Sequence, residues 1–231
     1  SLSNSCSIDN IKKIVKGIKR SIKHTNLKLL GGDLCTYKGP LSFCITVVGN
    51  SKRKTLLKRK GAKNGDYLVV TGTIGDAKLG LDCLKKKNKT FSELDKKKVI
   101  KKFLVPPIRH ELALALSPYV KSCIDISDGL AIDAGKLAKY SNCGLNIISS
   151  KTPLSNITKN ALRNNYYSIE QILSAGDDYE LAFAVEKKNL DKIYKIAAIK
   201  KIKLTVMGNF IKKKGTYLNN KEFSKGYSHL K

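Results

Sequence analysis

The chain has 231 residues, 42% of them hydrophobic, so we expect a globular protein of one large or two modest domains. No run approaches the ~20 continuous apolar residues of a membrane span, so we expect no membrane association. The formal net charge of +27 invites a nucleic-acid interpretation, but only five of the 45 basic residues are Arg and Lys is spread along the whole chain, so we expect no specific nucleic-acid binding. The six cysteines show no C-x-x-C pair, which argues against a zinc site or a disulfide scaffold and favours reduced thiols in the cytoplasm.

Apolar residues recur at helical spacing from Ile8 to Ile22, which predicts an amphipathic helix capped by Ser7 or Asp9. Strand-like and helix-like patterns then alternate, and residues 51–64 are typical of a linker. In chain order we predict strands at 42–48, 67–71, 121–126, 144–148, 179–185 and 202–207, the last of them being the final strand. We predict helices at 76–84, 111–116, 128–140, 168–173 and 187–200. This alternation indicates an α/β or mixed α+β layered fold.

The run from Cys123 to Leu130 (CIDISDGL) is the most informative segment of the chain. A buried strand ends in two carboxylates and a hydroxyl, and a helix then begins near Ser127 or Asp128. Unpaired backbone N–H groups at a helix start favour anions, and carboxylates beside an anion need a cation between them. Mg²⁺ meets this need, because proteins hold it with one or two carboxylates plus substrate phosphates. The alternative is a strand followed by an ordinary Asp or Ser helix cap.

Three further glycine-containing turns could serve a phosphate site. Gly31-Gly32-Asp33 could bring backbone close to a phosphate, the turn at 71–76 (TGTIGD) suits an anion at a helix start, and the turn at 176–180 (GDDYE) is acidic. Each could equally be an ordinary turn, with Asp178 and Glu180 as hydrogen-bonded loop and strand residues. Arg59 could reach a phosphate bidentately or lie on the surface. The three histidines are dispersed and show no metal spacing.

Taken in order, these motifs resemble one family. They are GGD at 31–33, RKGAKNGD at 59–66, VTGTIGD at 70–76, DISDGL at 125–130, GDDYEL at 176–181 and KGYSH at 225–229. The set is similar to the thiamine-monophosphate kinase family, within the aminoimidazole ribonucleotide synthetase-like superfamily. The further acidic motifs of that family's N-terminal segment do not occur before Gly31, so we expect a chain that lacks part of the active site and is inactive alone.

The resemblance implies a role for individual residues. Mg²⁺ would be held by Asp33, Asp125 and Asp128. ATP would contact Gly32, Asp33, Arg59 and Ser127. Thiamine monophosphate would contact Asp177, where the family usually has Glu, and Ser224, near a position that is often aromatic. No general acid or base is implied, because the acceptor phosphate is largely ionised at neutral pH and metal ions and positioning suffice for the transfer.

The resemblance also implies the activity and the domain organisation. The activity is ATP-dependent phosphorylation of thiamine monophosphate to thiamine diphosphate by a cytoplasmic homodimer. Residues 1–50 would end a partly present first domain, 51–64 would link the domains, and 65–231 would form an α/β second domain. The alternatives are another ATP-using enzyme of the superfamily, a catalytically incomplete nucleotide-binding remnant, and a basic RNA-binding module, which salt-dependent RNA affinity would reveal.

Overall fold

The computed structural model describes residues 2–3, 6–23, 25, 27–50, 56–85 and 91–223. It divides into two compact units, Ser1–Asn50 and Ser51–Lys231. None of the described helices is long and apolar enough to span a membrane. Cys6, Cys44, Cys83, Cys123 and Cys143 are free thiols.

The first unit contains one long helix and one short pair of strands. Helix α1 (Ile8–Lys23) confirms the predicted amphipathic helix, and the Ser7 hydroxyl caps it by accepting the N–H of Asn10 at 3.2 Å. Strand β1 (Leu2–Ser3) pairs in parallel with β2 (Thr36–Tyr37), neither of which was predicted. The predicted strand at 42–48 is wrong, because these residues have no regular structure. A strand exists only through its ladder of hydrogen bonds, and the described part of this unit offers 42–48 no neighbouring strand.

The second unit is built on a mixed seven-stranded sheet. Its strands are β3 (Tyr67–Thr71), β4 (Val120–Asp125), β5 (Gly144–Ile147), β6 (Leu181–Val185), β7 (Leu204–Ile211), β8 (Gly215–Leu218) and β9 (Lys221–Glu222). They lie in the order β4-β6-β3-β7-β5-β8-β9. Every neighbouring pair is antiparallel except β5 and β8. Strand β4 is therefore an edge strand, and β6 lies between it and β3.

Helices cover both faces of this sheet. They are α2 (Asp76–Leu84), α3 (Glu93–Leu104), α4 (His110–Leu116), α5 (Leu130–Tyr140), α6 (Asn156–Arg163), α7 (Ile169–Leu173) and α8 (Leu190–Ile199). Because side chains alternate along a strand, Leu68 packs into the core that includes Leu79 and Leu130. Its neighbour Val69 packs into a second core with Leu112 of α4 and Ile193 of α8. The mixed α/β fold class is confirmed.

The predicted elements of the second unit are confirmed, with ends that match or shift by one to three residues except at the end of β7, but four elements were missed. Helices α3 and α6 carry many polar residues, and β8 and β9 are short. The prediction that 202–207 is the final strand is wrong, since β7 continues to Ile211 and two strands follow it. In α7, the Ser168 cap forms a capping box with Gln171, which explains why this short helix begins where the sequence indicates.

Candidate functional site

Three of the predicted motif loops meet at one end of the sheet of the second unit. Strands β3 and β4 both run antiparallel to β6, so the loops that follow β3 and β4 lie at the same end as the loop that precedes β6. The register places Asp125, the last residue of β4, opposite Leu181, the first residue of β6. Topology therefore brings together motifs that are far apart in sequence.

The loop after β4 and the loop before β6 are joined directly by backbone hydrogen bonds. The N–H of Tyr179 donates to the carbonyl of Ile126 at 2.8 Å, and the N–H of Asp177 donates to the carbonyl of Ser127 at 3.0 Å. Gly176 lies so close that an added Cβ would be 2.1 Å from the Ser127 carbonyl oxygen. Asp177 and Tyr179 have φ angles of 69° and 48°, which non-glycine residues rarely adopt. The loop before β6 is thus held in a strained conformation against Ser127.

The charges of three carboxylates act on the hydroxyl of Tyr179, which is 41% exposed. Partial burial, followed by the negative charges of Asp177, Asp125 and Asp128, raises the pKa of this hydroxyl. The carboxylate of Asp125 is half-buried and has neither a hydrogen-bond donor nor a cation beside it within the described ranges. The predicted residues Asp125, Asp128 and Asp177 therefore form one negatively charged surface.

The start of helix α5 is filled by a carboxylate of the chain itself. One oxygen of Asp133, which is fully buried, accepts the N–H groups of Ser127, Asp128 and Gly129 at 2.9, 2.8 and 3.2 Å. The ammonium of Lys136 lies 2.7 Å from the other oxygen of Asp133. The prediction that these N–H groups are open to an external anion is wrong. The side chains of this loop stay available to a ligand, but its backbone donors do not.

The start of helix α2 is filled in the same way. Asp178 is buried, and its two carboxylate oxygens lie 3.0 and 2.9 Å from the N–H of Gly75. Burial, with the negative charges of Asp76 and Glu180, raises the pKa of Asp178 to about 8, although N–H donors at the helix start oppose the shift. The turn at 71–76 holds an acidic group, as its sequence suggested, but that group is the carboxyl of a residue 103 positions later in the chain. A phosphate is not expected there.

A buried ion pair anchors the other end of the loop before β6. Glu180 is 1% exposed, and the guanidinium of Arg109 donates to both of its oxygens at 2.7 and 2.6 Å. The Thr71 hydroxyl donates to the same carboxylate at 2.5 Å and accepts the N–H of Leu181 at 2.9 Å. Glu180 is hydrogen-bonded as interpreted, but it lies just before β6 and not in it, and the role of Arg109 was missed. The only signal for it was a rare Arg just after Pro106-Pro107.

The remaining predicted site residues lie elsewhere in the chain. Gly32 and Asp33 are exposed in the first unit, where the Asp33 carboxylate accepts the N–H of Leu34 at 2.8 Å. Arg59 is exposed on a segment that runs beside β4, since the carbonyl of Lys58 accepts the N–H of Cys123 at 2.9 Å. Ser224 lies outside the described residues.

The donor chemistry of residues 125–129, which we call the acidic loop, fits a hard divalent cation. In the part of the chain that the structure describes, no three His, Cys, Asp or Glu side chains are grouped so that they could hold a metal. A two-carboxylate site is nevertheless sufficient for Mg²⁺ when phosphates supply further oxygens. Asp125 and Asp128, at the end of β4 and in the loop that follows it, offer such a pair.

Residues 63–219 match the family model described as "AIR synthase related protein, C-terminal domain". The chain belongs to this family. It is 37% identical over 200 residues to a thiamine-monophosphate kinase of Buchnera aphidicola, covering 86% of this chain and 60% of that protein. It is 36% identical over 168 residues to the thiamine-monophosphate kinase of Escherichia coli, covering 73% of this chain and 51% of that protein. The chain thus spans about half to three fifths of the length of these curated relatives.

Solved structures of the AIR synthase-related fold superpose on this chain. A thiamine-monophosphate kinase from Stenotrophomonas maltophilia is 26% identical, with a TM-score of 0.80, over 95% of this chain and 70% of that chain. AaThiL complexed with AMPPCP and TMP is 25% identical, with a TM-score of 0.82, over 100% of this chain and 71% of that chain. The hydrogenase maturation protein HypE of Escherichia coli is 17% identical, with a TM-score of 0.68, over 94% of this chain and 67% of that chain, and shares the fold alone.

Proposed function

We propose that this chain serves an ATP-dependent phosphorylation of thiamine monophosphate that gives thiamine diphosphate. The observation that carries the proposal is the acidic surface of Asp125, Asp128 and Asp177 in a chain 37% identical to a thiamine-monophosphate kinase. The AaThiL complex supports it, because AMPPCP is a non-hydrolysable ATP analogue and TMP is the acceptor of this reaction. The reaction brings two polyanions together, so its site needs cations and positioning more than it needs a base.

The residues of the acidic surface divide between metal and substrate. Asp125 and Asp128 would hold Mg²⁺, which would neutralise the facing phosphates and align the transfer. The Ser127 hydroxyl would contact the ATP phosphates, now as a side-chain donor, since its N–H is committed to Asp133. Asp177 would contact thiamine monophosphate, and its fixed backbone conformation would orient it.

Residues beyond this surface complete the proposal. Gly32 and Asp33 would bind the nucleotide, with Asp33 also on the metal, Arg59 would bind ATP, and Ser224 would contact the substrate. We assign residues 1–50 to the ATP-binding and dimerisation domain, 51–64 to a linker and 65–231 to the second domain of a cytoplasmic homodimer. Support for the dimer comes from the first unit, where Ile45 and Val48 are 78% and 82% exposed, as residues awaiting a partner would be.

An acceptor comparison tests this function. The protein, purified as its host produces it, is incubated with Mg²⁺ and ATP and with one acceptor at a time: thiamine monophosphate, selenide or a formylglycinamidine ribonucleotide. ADP and thiamine diphosphate are quantified by chromatography. We expect equimolar ADP and thiamine diphosphate with thiamine monophosphate alone. Release of ADP with another acceptor would indicate a different enzyme of the superfamily, and binding of Mg-ATP without turnover would indicate a nucleotide-binding remnant.

A further inference from the structure

Lys136 places a fixed positive charge at the acidic loop. It lies on helix α5, and its ammonium nitrogen is 2.5 Å from Asp128 Oδ2 and 2.7 Å from Asp133 Oδ1. Its side chain is 32% exposed, against 28% for Asp128 and 0% for Asp133. One cation therefore serves two carboxylates of very different burial.

The two carboxylates depend on this cation to different degrees. Asp133 is tied down independently of Lys136, because its second oxygen accepts three backbone N–H groups. Asp128 has no such donors, and the ammonium of Lys136 is the one partner of its carboxylate within the described residues. Removing the ammonium would therefore leave Asp133 in place and free the carboxylate of Asp128.

The neighbouring carboxylate offers a contrast. Asp125 has no cation beside it in the described segments. Like Asp128, it contributes a negative charge that raises the pKa of the Tyr179 hydroxyl. A divalent cation that joins Asp125 to Asp128 would approach an oxygen that already holds an ammonium at hydrogen-bond distance. Two cations on one carboxylate oxygen repel each other strongly at this separation.

We infer that Lys136 is a resident counter-ion of Asp128 that sets the affinity of the acidic loop for divalent cations. A cation that binds Asp125 and Asp128 displaces the ammonium from Asp128 Oδ2, and Lys136 is then held by Asp133 alone. Lys136 is therefore a positioning residue. It lowers the affinity of Asp125 and Asp128 for a divalent cation, and it holds the loop in place before a cation binds. The inference rests on the proposed metal role of Asp125 and Asp128.

Binding of Mn²⁺ alone, without nucleotide, tests this inference. Free Mn²⁺ is titrated by electron paramagnetic resonance against the whole protein and against Lys136→Met, which removes the charge and keeps the length of the side chain. We expect the Kd for Mn²⁺ to fall about tenfold in Lys136→Met, because the ammonium no longer repels the cation at Asp128. Lys136→Arg keeps the charge and should bind Mn²⁺ as the wild type does. Lys139→Met removes an exposed charge from the same helix and is the matched control.

The outcomes separate this inference from the proposed function. An unchanged or higher Kd in Lys136→Met, or no Mn²⁺ binding by either protein, would overturn the role of Lys136. In the double variant Lys136→Met with Asp128→Asn the tighter binding should be lost, because the ammonium and the divalent cation compete for Asp128. A double variant that binds Mn²⁺ as tightly as Lys136→Met would also overturn the role of Lys136. Should Lys136→Met fail to fold, Lys136→Gln provides the same comparison. The acceptor assay on the wild type decides the proposed function separately, whatever Mn²⁺ does.

Discussion

Arg109→Leu should destabilise the second unit by about 3–5 kcal/mol, because it leaves a buried charge without its partner. The Glu180 side chain is 1% exposed and the Arg109 side chain is 19% exposed, so water cannot replace the guanidinium around both carboxylate oxygens. Among the described residues, only the Thr71 hydroxyl would still donate to that carboxylate. The expected loss is a large share of the 5–15 kcal/mol that typically stabilises a domain.

Urea unfolding followed by circular dichroism measures this loss. Arg163 is exposed on α6, so Arg163→Leu is a control that should change the unfolding free energy by less than about 0.5 kcal/mol. The double variant Arg109→Leu with Glu180→Leu should be more stable than Arg109→Leu alone, because it removes the stranded charge together with its partner. A loss below about 1 kcal/mol in Arg109→Leu, or a double variant less stable than that single variant, would refute the reasoning.

Three other substitutions probe the same end of the sheet. Gly72→Ala should lower the free energy of unfolding in urea by more than about 2 kcal/mol, because the φ angle is +62° and the new Cβ would lie 1.9 Å from Glu180 Oε1. Gly65→Ala should lower it less, because Gly65 has a φ angle of +90° but no atom lies within 4 Å of the new Cβ. Equal losses would exclude the steric cause. The pKa of Asp178 is raised from its usual 3.8 to about 8 in the folded protein, so its contribution to stability is fully present below about 3.8 and is lost as pH rises from there to about 8. Asp178→Asn should flatten that part of the stability profile, and an unchanged profile would contradict the buried carboxyl. Asp177→Asn keeps a residue that tolerates the local φ of 69° and should raise the KM for thiamine monophosphate while the KM for ATP stays constant; the opposite split would assign Asp177 to the nucleotide.

Local patterns predicted most elements of the second unit but not the partners of its loops. The apolar run before Asp125 and the helix from Leu130 follow from residue periodicity alone. That Asp133 fills the start of this helix could have been recognised, because it lies only a few residues after the N–H groups that it accepts. The contact between Asp178 and Gly75 could not, because it joins loops that only the strand order brings together.

The first unit shows the opposite limit of sequence reasoning. The composition of residues 42–48 favours a strand, but a strand forms only when a neighbouring strand supplies its hydrogen-bond partners. Ile45, Val47 and Val48 are accordingly 78%, 66% and 82% exposed. Whether residues 42–48 form a strand therefore depends on a neighbouring strand and not on their own sequence.

The formation of thiamine diphosphate by Asp125→Asn and by Asp128→Asn tests whether these two carboxylates hold the catalytic cation. Each variant is prepared in the protein as its host makes it, and product is measured with saturating ATP, Mg²⁺ and thiamine monophosphate. The account predicts that each variant keeps the unfolding midpoint of the wild type and loses about 100-fold or more of its rate, since each removes one ligand of the cation that stabilises the transferred charge. Near-normal product formation in either variant would contradict the metal role of the acidic loop.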